Sequence, residues 1–175
     1  MRKSAKIKRF IPRPKRLEMP ADYNVDGINY KPPMWEQISD KLRDAEYYWI
    51  GTKQPDNGLH TVPIWGIWLD DMLLFVTRRK SKKARNLCTD PNVVVHLESA
   101  TYVVILQGIA SEVKNAKLLK RFENAYLEKY DDEEPVLLDI KVVFALKPTG
   151  AYTWLAREYR ATATRWQLTN RRRYK

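Results

Sequence analysis

Apolar residues alternate with polar ones along much of the central chain, and they switch to a helical period in two windows. Trp35, Ile38, Leu42 and Ala45 fall at i, i+3, i+7 and i+10, one face of an amphipathic helix. Residues 47–52, rich in aromatic and β-branched side chains, read as a strand. Asp56-Asn57-Gly58 is a turn signal, because Asn and Gly tolerate the positive φ a hairpin needs. A second strand over 60–69 turns at Asp70-Asp71 into a third over 72–77, which makes a meander. A short helical stretch ends near Asp90-Pro91, where proline forbids continuation. Strands over 92–98 and 102–112 meet at Ser99-Ala100. Leu118, Leu119, Phe122, Ala125, Tyr126 and Tyr130 then mark a second amphipathic helix over 115–130. Residues 131–135 form an acidic loop. Strands over 140–146 and 151–154 complete the set, on either side of Pro148 and Gly150. Six or seven strands joined by hairpins, with two or three helices, predict a mainly β protein built as an antiparallel barrel. Residues 1–33 read as a Pro-containing basic arm, 34–170 as the folded domain and 171–175 as a basic tail.

The net charge of +11 changes this picture less than its size suggests. Residues 1–17 hold eight Lys or Arg and residues 171–175 four more, with no acid in either segment. The body between them carries 20 basic against 21 acidic residues and is nearly neutral. Tails of this kind attract polyanions weakly and without sequence preference, or simply stay solvated. No apolar run approaches the roughly 20 residues of a membrane span. The single cysteine, Cys88, excludes an internal disulfide and suits a reducing cytoplasm. It is expected to be a small packing residue. His60 and His96 lack partners at metal-ligand spacing and read as turn or sheet residues. No nucleophile elbow or Walker loop is present.

Residues 75–87 carry the sharpest chemistry. Thr77 and Ser81 bracket three cations, and Lys82, Lys83 and Arg85 follow at the start of a helix. Hydroxyls, fixed cations and free N–H groups at a helix N-terminus are what phosphate recognition requires. A solvated basic loop has the same composition, so the segment alone leaves both readings open.

What surrounds it narrows the choice. From Tyr48-Trp49-Ile50-Gly51-Thr52, through Asp56-Asn57-Gly58-Leu59-His60 and Val62-Pro63-Ile64-Trp65-Gly66-Ile67-Trp68, to Asn86-Leu87, Asp90-Pro91-Asn92-Val93 and Gln107-Gly108, the order and spacing resemble the pyridoxamine 5′-phosphate oxidase-like family of split barrels that bind flavin mononucleotide (FMN). The resemblance spans about 48–168. It implies a split barrel that dimerises with itself, with a cofactor at each subunit interface. Val62, Pro63 and Ile64 would lie along the ring, with Trp65 beside them. Thr77, Ser81, Lys82 and Lys83 would hold the phosphate, and Gln107 would sit near the ring. The family's first strand position often carries an arginine for the phosphate, whereas this chain has Thr61. Arg78, Arg79 and Arg85 are the cations available to compensate.

The chain's ending lacks the Arg-Leu-His-Asp-Arg segment of true pyridoxamine phosphate oxidases. Trp154 and 161–168 instead resemble the branch with reductases that use deazaflavin, coenzyme F-420. Arg165 and Trp166 would cap the cofactor, or else form a barrel-closing strand whose tryptophan fills core. The expected function is an FMN-dependent or F-420-dependent oxidoreductase moving a hydride to or from a small organic substrate. The rivals are a haem-handling relative, or a non-catalytic module whose basic tails bind nucleic acid or another polyanion.

Overall fold

A computed structural model describes residues 12–131 and 140–168. The chain runs through β1 (Arg13–Arg16), α1 (Trp35–Asp44), β2 (Tyr47–Lys53), β3 (Leu59–Trp65), β4 (Ile67–Leu69), β5 (Met72–Arg78) and α2 (Lys82–Thr89). It continues through β6 (Asn92–His96), β7 (Tyr102–Glu112), α3 (Ala116–Tyr130), β8 (Lys141–Leu155), α4 (Tyr159–Thr162) and β9 (Thr164–Gln167). All strand pairs are antiparallel, in the order β1-β9-β8-β7-β6-β2-β3, with β5 joining on β8 and β4 on β5. No ladder joins β3 to β5, so the barrel is split there rather than closed.

Turn chemistry sets the meander. Asn57 takes φ 65°, and the Asp56 carboxylate accepts the Gly58 N–H at 3.0 Å. Asp70 and Asp71 both have positive φ, the backbone of a two-residue hairpin that matches strand twist. Inward residues of β2 (Tyr48, Ile50, Thr52) alternate with exposed or half-buried ones. The barrel core forms around Ile50, Leu73, Phe75, Val95, Val104, Leu106 and Leu146, and α1 closes one side of it through Trp35, Ile38 and Leu42. A second apolar cluster lies under α3, where Phe122 and Tyr126 cover Ile67, Leu74, Val143 and Ala145.

β8 is the shared element. Phe144–Leu146 lie between β5 and β7, while Gly150–Thr153 lie between β7 and β9. The strand changes partner across a β-bulge at Gln107/Gly108. There the backbones approach so closely that a side chain at Gly108 would strike the Lys147 carbonyl and lie 2.8 Å from the Leu146 side chain.

Several expectations change. The strands number nine among the described residues, not six or seven, because 13–16 pairs with 164–167, which in turn pairs with β8. The pattern over 13–16 is too short and too polar to signal a strand. Residues expected as an arm therefore extend the sheet, and Leu17 N–H and Lys31 N–H donate to the Ala163 and Ala161 carbonyls. The strand over 60–69 breaks at Gly66, whose N–H donates to the Tyr130 hydroxyl at 2.8 Å. Burial pushes that hydroxyl up to about 12. Lys129 on the same turn donates to the Arg43, Ala45 and Gly66 carbonyls and so ties α3 to the end of α1. The two strands expected over 140–154 are one. Cys88 is exposed rather than packed, because Leu87 takes the buried position beside it. Both basic ends (1–11 and 169–175) and most of the acidic loop (132–139) lie outside the described residues.

The bulge generates a stability prediction. Gly108→Ala lowers urea-unfolding stability by about 1–3 kcal/mol, as overpacking against fixed backbone does. Gly51→Ala, where the nearest atom lies 3.7 Å from the new carbon, serves as the tolerated control.

Candidate functional site

The basic segment folds as the sequence pattern implies. β5 ends at Arg78, and Ser81 caps α2 by accepting the Ala84 N–H at 3.2 Å. The Thr77 and Ser81 hydroxyls lie 3.1 Å apart. As first-turn residues, Lys82 and Lys83 present N–H groups with no partner inside the helix. Lys83 is half-buried, and burial lowers its pKa. Among the described residues no carboxylate pairs with it.

β3 supplies a residue that sequence reasoning set aside. The Nδ1 of His60 is buried without a hydrogen-bond partner. Burial lowers the pKa of this ring, and the charges of Lys82 and Lys83 lower it further. Asn86 of α2 donates to the Thr52 hydroxyl at 3.0 Å, which fixes the helix against β2. Thr77, Ser81, Lys82 and Lys83 thus gather where β5 gives way to α2, with His60 near enough to feel both lysine charges, and among the described residues no carboxylate pairs with either lysine. His60 pairs with Thr52 across the hairpin, so it shares the inward face. That placement depends on register, which residue type alone does not reveal.

The compensating cations point elsewhere. Arg79 binds the Glu112 carboxylate at 3.2 Å, and Arg85 donates to the Lys80 carbonyl. Arg78 is exposed at the end of β5, opposite Lys141.

The other expected site residues are spread over three environments. Val62 and Ile64 turn inward from β3, and Pro63 and Trp65 turn outward. β3 pairs with β2 alone, so its other edge is open, where proline is tolerated. Trp65 leaves this edge and stacks on Tyr130, with ring centroids 4.8 Å apart. Gln107, Trp154 and Arg165 belong to the opposite, outer sheet face. Trp154 meets the Tyr159 ring edge-on at 5.6 Å. Trp166 is 2% exposed, packs against Trp35 and donates to the Thr153 hydroxyl at 2.8 Å. It fills core on the strand that closes the sheet.

The outer face of the sheet is unusually apolar for an exposed surface. Leu59 (81% exposed), Val94 and Ile109 stand on it, with Trp49 and His96 stacked 3° from parallel. Leu59, Val94 and His96 border a hollow over Gly51, Thr61 and Gln107.

Comparisons with known proteins agree with this architecture. A family profile for pyridoxamine 5′-phosphate oxidase matches residues 34–155. A conserved hypothetical protein from Mycobacterium tuberculosis is similar in structure, with TM-score 0.62 and 23% identity over 70% of this chain and 85% of that one. An F420 reductase aligns with TM-score 0.52 and 21% identity, over 64% of this chain and 94% of its own. The haem storage protein HutZ from Vibrio cholerae aligns with TM-score 0.61 and 14% identity, over 70% and 96%. Identities this low establish the fold alone. No curated protein matches the sequence.

The His60 environment predicts a pH effect. Its folded pKa lies below the unfolded value of 6.5, so the folded state favours the neutral ring. The resulting stability is complete above that value and is lost as pH falls through the folded pKa. His60→Asn should therefore lose less stability than the wild type between about pH 7.5 and pH 5 in urea titrations.

Proposed function

Since the chain belongs to the pyridoxamine 5′-phosphate oxidase family, we propose that it is an oxidoreductase that binds FMN, with deazaflavin coenzyme F-420 as the alternative cofactor. One observation carries the proposal: a half-buried, unpaired Lys83 beside the orphaned His60 nitrogen, at the N-terminus of a helix capped by Ser81. A site with buried positive charge and no acid of its own is matched by a phosphate.

In this reading Ser81, Lys82 and Lys83 hold the phosphate, and Thr77 orients the Ser81 hydroxyl. The open edge of β3 from Val62 to Ile64 offers backbone groups to the polar rim of the ring. When bound, the cofactor supplies hydride transfer to or from a small organic substrate. The protein contributes position, exclusion of water, and a positive corner that favours the reduced, anionic ring. No ionisable triad is needed for that task.

Gln107, Trp154 and Arg165 lie on a different face from the phosphate corner, so one chain does not gather all the expected residues around one ring. A second copy docking on the apolar outer face would bring its own set to the β3 edge, and a homodimer is the partner we infer. The exposed Leu59, Val94 and Ile109 support this, since large apolar side chains grouped on one face favour a partner. An exposed Cys88 without a disulfide fits a reducing cytoplasm.

The first experiment is the visible spectrum of the purified protein, followed by titration with FMN and with F-420. Ser81→Asp keeps a capping carboxylate at α2 but repels phosphate. It is expected to weaken binding of the cofactor by about 100-fold or more at unchanged stability. Wild-type affinity in this variant would overturn the phosphate assignment. A protein that binds neither cofactor would shift the function to haem handling or to polyanion binding by the basic tails. The dimer is tested by Val94→Glu in sedimentation velocity, where the expected result is a folded monomer from a dimeric wild type.

A further inference from the structure

The basic, Pro-containing arm holds a strand that the proposed cofactor site does not use. β1 pairs with β9 alone, and among the described residues no strand pairs with its other edge. The family profile matches residues 34–155, so both strands lie outside it. The Leu17 N–H donates to the Ala163 carbonyl at 2.9 Å. Hydrogen-bonded pairs recur every second residue along an antiparallel ladder, so Lys15 with Arg165 and Arg13 with Gln167 are bonded pairs. The phase agrees from the far side of β9, where the Leu168 N–H donates to the Thr149 carbonyl at 3.3 Å and the even-numbered residues bond β8. Positions 12, 14 and 16 therefore turn their backbone groups to the open edge.

Two of those positions are proline. Pro12 and Pro14 have no N–H, so of the three only Arg16 offers a backbone donor to the outside. A strand arriving from another chain would meet carbonyls but almost no donors. β9 is different. Without β1, the N–H and C=O groups of Arg165 and Gln167 would stand unpaired, an edge open to strand addition. β1 is also fastened from within the chain. The Arg16 guanidinium donates to the Arg160 carbonyl at 2.7 Å and lies over the Tyr30 ring. The Tyr30 hydroxyl donates to that of Thr164 at 3.0 Å, and the Lys31 N–H donates to the Ala161 carbonyl at 2.9 Å. The exposed Arg13 and Lys15 add repulsion between like copies. Salt screens that repulsion but cannot restore a missing donor, so the prolines dominate.

We propose that β1 is an edge guard: it covers the β9 edge of the sheet with a strand that a second copy of this chain cannot extend. The arm thereby stops the sheet from growing copy by copy. This role concerns the sheet edge alone. It holds whether or not a cofactor binds, and whether or not two copies meet on the apolar outer face.

The test is sedimentation velocity on the full chain, in the wild-type and Val94→Glu backgrounds, so that the outcome does not depend on the outer-face dimer. Pro12→Val combined with Pro14→Val restores two outward donors per chain and should tighten self-association by about tenfold or more. Pro14→Val alone, at an exposed position, should give a smaller gain and serves if the double variant does not fold. Arg13→Ser combined with Lys15→Ser removes charge, keeps the prolines and should leave the mass of the parent unchanged. Leu17→Pro removes the bond to Ala163 and loosens β1. It should speed amide hydrogen exchange at Arg165 and Gln167 and increase association through the bared edge. Folded proline variants with the parent's mass would overturn the guard. Association in the charge variant alone would overturn it as well, by giving the task to repulsion. So would faster exchange at Arg165 and Gln167 in Leu17→Pro without any gain in association, because the β9 edge would then need no cover.

Discussion

One strand carries this fold, and one close backbone contact lets it do so. β8 is 15 residues long and must serve two neighbourhoods: β5 and β7 at its start, then β7 and β9 at its end. A regular ladder does not bend enough to do this. The bulge at Gln107/Gly108 bends the pairing, and it forms because Gly108 has no side chain to hold the Lys147 carbonyl away. The result is a sheet with an inward face, an outward face and a split between β3 and β5. The phosphate segment lies at the end of β5, beside that split.

Charge placement follows a consistent logic. Most charged side chains that hold structure are paired or hydrogen-bonded, as with Arg79 and Glu112, Arg121 and Asp70, or Lys129 on three carbonyls. Exposed cations such as Arg78 stay solvated, but Lys83 is half-buried near His60 and no carboxylate pairs with it among the described residues. A folded chain seldom leaves buried positive charge unmatched, because desolvation penalises the charged form. Lys83 is the place where it does so, and the proposed phosphate site falls there.

The sequence alone determined the element types, the meander and the chemistry of the phosphate segment. These are local properties. Alternation marks a half-buried strand, Asn-Gly and Asp-Asp set turn geometry, and a hydroxyl before Lys-Lys caps a helix with free N–H groups. Tertiary structure decided the rest. The four-residue strand at 13–16 carries too little pattern to read, and it forms because 164–167 completes its hydrogen bonds. His60 joined the phosphate corner through its register opposite Thr52, and Trp166 went to the core because β9 closes the sheet. Gln107, Trp154 and Arg165, close to the phosphate residues in the expected site, came to lie on another face. Which face a side chain takes depends on register between distant strands, and register is fixed by the bulge and the packed core, not by neighbours in sequence.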